Sequence, residues 1–194
     1  MMIKTTLRTL LVSLATFFTP FALAQHQNFS ISPSLSVVDF TLASNDDTTK
    51  GTFQVEKGSV TFDPNSSRLS GQILVSAATG NSGTASRDKK MLKEVLQASK
   101  FADITFAPRS YTGTLALTGD STVQVTGVFT LHGTPHTITV PMAIHIKGSR
   151  CTATTDFKIP YVQWGLKDPS WFVFRVAKQV DIHLTMRGLI SPGS

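Results

Sequence analysis

The chain has 194 residues, 41% of them hydrophobic and 15% charged, with a formal net charge of +6. A single Cys excludes an internal disulfide, and that length suffices for one domain with a substantial core. The basic residues are scattered apart from a short cluster at Arg87, Lys89, Lys90 and Lys93. No continuous basic stripe of the kind nucleic-acid binding needs is present.

The N-terminus reads as a secretory signal. Lys4 and Arg8 give a basic start, residues 10–18 form an apolar run broken only by Ser13 and Thr16, and Ala22-Leu23-Ala24 has the small-x-small form that signal peptidase accepts. The apolar run is too short for a stable membrane span. Position 25 is Gln, so a lipoprotein anchor on a following Cys is not expected. The expected division is therefore a signal peptide over 1–24 and a single domain over 25–194, periplasmic or secreted. Loss of Lys4 and Arg8 leaves 16 basic against 12 acidic side chains, a mature net charge of +4.

Beyond Ala24 the recurring signal is alternation with period two, which predicts half-buried strands. The runs fall near 36–43, 51–57, 59–63 and 68–77, with Val38, Phe40 and Leu42 opposite Asp39 and Thr41, and Phe53 and Val55 opposite Gln54 and Glu56. From Ser86 to Ser99 the pattern changes. Met91, Leu92, Val95 and Leu96 take helical spacing, Ser86 can cap the N-terminus, and Asp88 lies in the first turn, where the helix dipole favours a negative charge.

Strand runs resume near 103–118, 122–131, 137–147, 150–159 and 175–188. In the last, Val176, Val180, Ile182, Leu184 and Met186 share one face, opposite Asp181, His183, Thr185 and Arg187. Turn residues punctuate the series at Asp63-Pro64-Asn65-Ser66, Gly119-Asp120, Gly133-Thr134-Pro135 and Lys147-Gly148. Some eight or nine short strands with one wet face and one short amphipathic helix predict an all-β fold, a single antiparallel β-barrel of about eight strands or a sandwich.

Alternation alone does not orient the apolar face. A lipid-facing barrel needs aromatic girdles and strands of ~9–11 residues. This chain has two Tyr, two Trp and 13 Phe, and several runs are shorter than that. The apolar face is therefore expected to point inward, leaving an interior filled by side chains or able to hold one ligand.

Particular residues then become recognisable. They are Ser36-Val37-Val38-Asp39-Phe40 with Gly51-Thr52-Phe53, and Thr79-Gly80-Asn81-Ser82-Gly83 followed by Arg87-Asp88. Leu92 and Phe101 precede Ile104-Thr105-Phe106-Ala107-Pro108, and a strand and turn run from Val125 to Leu131-His132-Gly133. Trp164-Gly165-Leu166 and Val180-Asp181-Ile182 close the series. In order and spacing these resemble the YceI-like family of lipid- and polyisoprenoid-binding proteins.

The resemblance implies an exported lipocalin-like barrel with an internal channel for a long-chain isoprenoid or similar lipid, and no catalytic constellation or cofactor. Two departures stand out. Phe101-Ala102-Asp103 replaces a Tyr-Pro step common in the family, and residues 168–174 form a bulkier, more aromatic loop.

The expected ligand-facing set is Phe40, Phe53, Val55, Leu92, Phe101, Phe106, Phe129, Phe157, Trp164, Trp171 and Phe172. Arg87 and Lys90 are candidates to meet an anionic headgroup. Aromatic walls suit an apolar chain, but the same Phe residues equally suit a filled core. The alternative is thus an interaction or stress-response barrel with a filled core that binds a protein partner; on either reading the chain is a monomer or a homodimer. No metal site is expected. His132 and His136 straddle a turn rather than sharing a helix face, and His145 and His183 lie on separate strands.

Overall fold

The computed structural model describes residues 26–193, so the export segment read in 1–24 lies outside the described residues. Nine strands follow in chain order: β1 (Gln27–Ile31), β2 (Val37–Ala43), β3 (Thr48–Phe62), β4 (Leu69–Ser76), β5 (Asp103–Thr112), β6 (Gly119–Leu131), β7 (Thr134–Lys147), β8 (Arg150–Ile159) and β9 (Val180–Pro192). Neighbours pair antiparallel in the order β3-β2-β9-β8-β7-β6-β5-β4, and β4 pairs back onto β3. The sheet closes on itself. This is the expected all-β barrel of about eight strands, and not a sandwich.

Nine strands fill eight positions because β1 and β2 share one. β1 pairs with residues 59–62 of β3 and 188–192 of β9, while β2 pairs with 48–54 and 181–185 of the same two strands. Between them a 3₁₀ turn, Pro33–Leu35, interrupts the ladder. Pro33 has no N–H to donate, so the ladder could not continue through it. Ser36 fills the gap, accepting from the Arg187 N–H at 3.0 Å and donating to the Ser32 carbonyl at 2.9 Å.

The alternation places Val123, Val125, Phe129 and Leu131 of β6 inside, with Ile182 and Met186 of β9. Gln124 of β6 and Asp181, His183 and Arg187 of β9 face water. Several boundaries differ from the sequence reading. The runs 51–57 and 59–63 are one strand, bent by a bulge between Val55 and Lys57 that tightens the local twist. The run 103–118 ends at Thr112, where Gly113 takes φ +106° and turns the chain out. The last strand begins at Val180 rather than 175, since residues 160–179 form a long connection.

The connections divide the two ends of the barrel. One end, the short-turn end, carries only the turns 63–68, 113–118 and 148–149, whereas the other carries the turns 44–47 and 132–133 together with the long segments 77–102 and 160–179. The first long segment holds the helix, α1 (Ala85–Lys90), which widens into a π turn over Met91–Val95. It starts one residue before Ser86, so Thr84 takes the cap position and makes no side-chain capping bond. The wide turn swings Met91, Val95 and Leu96 against the core.

Two glycines let this segment sit close. A Cβ at Gly51 would strike the Asn81 carbonyl and the Phe40 ring, and one at Gly80 would lie 2.6 Å from the Phe53 ring and 2.8 Å from the Met91 methyl. Thr52 and Asn81 exchange backbone hydrogen bonds at 2.8 and 3.0 Å across this seam.

Candidate functional site

The barrel is hollow beneath the long segments. A cavity of about 290 Å³ opens there, walled by inward residues of β2 to β9 and roofed by Met91, Val95, Leu96, Tyr161, Leu166 and Phe174. A second, smaller space of about 80 Å³ lies towards the short-turn end, lined by Phe29, Phe62, Leu115, Val123, Ile146 and Cys151 among others. Ile73, Phe106, Met142 and Met186 border both and form a waist. Burial pushes the Cys151 thiol up to about 11, so it sits in the lower wall as a neutral, inert group.

The roof is pinned at several points. The Tyr161 hydroxyl donates to the Ala177 carbonyl at 2.8 Å, tying together the two ends of the 160–179 connection. Burial, aided by the charge of Asp168, raises that phenol to about 12, so it stays a donor. The Lys167 ammonium donates to Glu94 at 2.6 Å, joining the connection to the π turn. That hydrogen bond and charge hold the Glu94 carboxyl below its usual range.

Arg87 sits at the mouth, and its guanidinium is held almost entirely by neutral oxygens. Nε donates to Ser82 Oγ at 2.8 Å, one terminal nitrogen to Thr49 Oγ1 at 3.1 Å, and the other to the Ser82 carbonyl at 3.0 Å and Thr84 Oγ1 at 3.1 Å. Ser82 Oγ in turn donates to Asp88 Oδ1 at 2.5 Å, which also accepts the Ser82 N–H at 2.8 Å. Arg87 and Asp88 are thus linked through Ser82 rather than directly. Four of the five guanidinium N–H groups are used, which leaves one donor and a full charge at the rim. Lys90 lines the same mouth.

Deeper in the wall stands one exceptional polar group. Thr155 is 3% exposed, borders the cavity, and its Oγ1 has no hydrogen-bond partner. Such orphans are rare in native interiors.

Of the sequence-selected residues, Phe40, Phe53, Phe106, Phe129 and Phe157 line the large cavity together with Arg87 and Lys90. Phe40 and Phe53 touch at 5.4 Å, and Phe129 meets Phe157 edge-on at 6.1 Å. Val55 is buried in the core without bordering the cavity, and Leu92 is half-buried away from it, because the π turn aims Met91, Val95 and Leu96 inward instead.

Phe101 packs on His132 at 4.1 Å, and Trp164 stacks on His136 at 3.9 Å, so both seal the rim beside the β6–β7 turn. Trp171 and Phe172 are 76% and 78% exposed, outside the mouth. Sequence reasoning missed Tyr161, Leu166 and Thr155. The first two lie in an aperiodic connection, and Thr155 was an inward polar residue on a face judged by its apolar members.

The histidines stand apart from the cavity. His145 Nδ1 meets Asp120 at 2.7 Å and His183 Nδ1 meets Asp156 at 2.7 Å, both on the outer surface. Burial, and then the charge of Lys100, hold His132 below its usual range. Among the described residues no group of three or more His, Cys, Asp or Glu is arranged to hold a metal ion.

The fold has solved counterparts. Burkholderia cenocepacia BcnA is similar with a TM-score of 0.66 at 22% identity, covering 83% of this chain and 99% of its own. A polyisoprenoid binding domain from Saccharophagus degradans, described as implicated in plant cell wall breakdown, gives 0.62 at 13% identity, covering 85% and 98%. A Campylobacter jejuni YceI protein gives 0.55 at 14%, covering 97% and 98%. No curated protein matches the chain. The YceI-like domain family matches residues 29–187, from β1 into β9, and the chain belongs to that family.

Proposed function

We propose that this protein is a non-catalytic carrier that holds the apolar chain of an amphiphile inside its barrel, with the head at the Arg87–Lys90 mouth. The observation that carries this reading is the 290 Å³ cavity, whose lining is overwhelmingly apolar, with the charged groups Arg87 and Lys90 at its mouth. A cationic rim above an apolar shaft suits a molecule with an anionic or polar head and a hydrocarbon tail. Kinship with a polyisoprenoid binding domain supports an isoprenoid tail, and an isoprenoid quinone or a fatty acid or amide has the same layout. The layout of residues 1–24 supports export to the periplasm, and no helix among the described residues is long and apolar enough to cross a membrane.

Volume limits the tail. A cavity of about 150 Å³ holds a benzene ring, so 290 Å³ takes roughly a dozen carbons and the lower space a few more. That matches a farnesyl or fatty-acyl chain. A much longer prenyl chain must spread the waist or leave its far end outside the mouth. Driving force is not limiting at about 0.8 kcal/mol per buried methylene; space and ordering entropy are.

Solvent extraction and native mass spectrometry of the purified mature protein test the reading. The expected result is one lipid per chain, or stoichiometric uptake of farnesyl phosphate by delipidated protein. Arg87→Gln should weaken the phosphate about tenfold while leaving farnesol nearly unchanged. A protein that carries no lipid and takes up neither compound is not this carrier.

A further inference from the structure

The exposed aromatic tip beside the mouth has no role in the wall of the cavity. Trp171, Phe172 and Val173 are consecutive and 76%, 78% and 73% exposed, whereas among the described residues the other strongly exposed large hydrophobics, Leu35, Leu117 and Leu189, are single. Three adjacent apolar side chains in water are costly unless something covers them.

Their presentation is built into the fold. Trp171 N–H donates to the Phe174 carbonyl at 2.9 Å and Phe174 N–H to the Trp171 carbonyl at 2.8 Å, closing a tight turn in which Phe172 takes φ +49°. Asn45, from the β2–β3 turn, clamps its base. Its Nδ2 donates to the Val173 carbonyl at 3.0 Å, and its Oδ1 accepts the Arg175 N–H at 2.8 Å. Ser170 Oγ accepts the Val176 N–H at 3.0 Å from the other side. The next residue of the tip, Phe174, and Val176 beyond it line the cavity, so the tip is continuous with the mouth.

The charge around the tip selects the partner. Segments 85–95 and 160–179 carry seven basic and three acidic side chains, against two acids and one Lys in the adjoining 45–50 turn. Of the three acids, Glu94 is bound to Lys167, Asp88 to Ser82, and Asp168 accepts the Ser170 N–H at 2.9 Å. A Trp-Phe wedge within a cationic rim is the chemistry of binding to an anionic bilayer surface.

We propose that the Trp171–Phe174 tip inserts into the headgroup region of an anionic lipid bilayer, seating the cavity mouth on the membrane so that a chain passes between bilayer and barrel without crossing water. The use made of docking rests on the carrier reading, but docking itself is measured with no chain in the cavity.

The test is cosedimentation of the full mature protein with vesicles of phosphatidylethanolamine and phosphatidylglycerol, and with vesicles of phosphatidylcholine alone. The wild type should pellet with the anionic vesicles and be released by salt. The double variant W171S/F172S should bind about tenfold less or weaker still, with its melting temperature and its uptake of farnesol from dilute ethanol unchanged. In Trp164→Phe, where Trp171 is the only Trp, emission should shift to the blue and be quenched by brominated acyl chains.

Wild type left in the supernatant, a double variant that pellets equally, or a tip-dependent dimer in sedimentation velocity would overturn the proposal. Docking without any uptake of farnesol would sustain this surface and overturn the carrier reading. Uptake without docking would do the reverse.

Discussion

The two ends of the barrel are built from the same alternating strands yet differ in what they enclose. At the short-turn end Phe29, Phe62, Val123 and Ile146 leave only about 80 Å³. At the other end the long segments 77–102 and 160–179 arch over the strands and leave about 290 Å³ beneath them. Strand spacing is set by the same ladder hydrogen bonds at both ends, and both ends carry short turns. What differs is that no long segment covers the first end, where inward side chains fill most of the interior. Long connections hold their own apolar residues, such as Met91 and Leu166, above the strand ends and substitute a roof for a plug. Hollowness is therefore a property of the connections, not of the strands.

The largest expected effect comes from breaking the seam under the roof. Gly51→Val would force the Asn81 carbonyl and the Phe40 ring apart, with a cost above the ~1–3 kcal/mol of ordinary overpacking. A lower denaturation midpoint with loss of farnesol uptake would mark collapse of the large cavity. Removing the waist is the next test. Phe106→Ala should destabilise by about 3 kcal/mol, less than a fully packed Phe, and join the two spaces so that longer prenyl chains bind better relative to farnesol. An unchanged length preference would mean that the waist does not set the limit.

Thr155→Val keeps the shape and removes a buried hydroxyl that lacks a partner, so stability should rise by about 1 kcal/mol, read as a higher midpoint.

The smallest effect is on pH dependence at the rim. The folded protein resists protonating His132, whereas the unfolded chain accepts the proton readily. The His132 contribution is thus intact above its ordinary value of 6.5 and is lost as pH falls below it. His132→Asn, which tolerates the left-handed backbone found there at φ +53°, should flatten the decline of melting temperature between neutral and mildly acid pH.

How much of this was legible in the sequence follows the same division. β9 was readable because four alternating apolar residues, Val180, Ile182, Leu184 and Met186, leave one register, whereas β1 buries only Phe29 and Ile31 before Pro33 and offers too short a pattern. Phe40, Phe53, Phe106, Phe129 and Phe157 were placed correctly towards the interior, since period two fixes the face. Whether that interior is full depends on summed volumes and on how the connections arch, and neither is periodic. Leu92 was chosen from ideal helical spacing, and one extra residue per turn over Met91–Val95 rotated it away. Trp171 and Phe172 were placed in the ligand-facing set on their aromatic character, and the turn that carries them outward is held by Asn45, a residue far away in sequence.

The central claim is that the large cavity is a binding space. Val140 borders it on β7 and is 4% exposed, so Val140→Phe should fill part of the space without touching the rim. Calorimetric titration of delipidated wild type and Val140→Phe with farnesyl phosphate tests the claim most directly. One site per chain in the wild type, lost in a variant of equal or higher melting temperature, is the expected result. Equal binding by both proteins would contradict it.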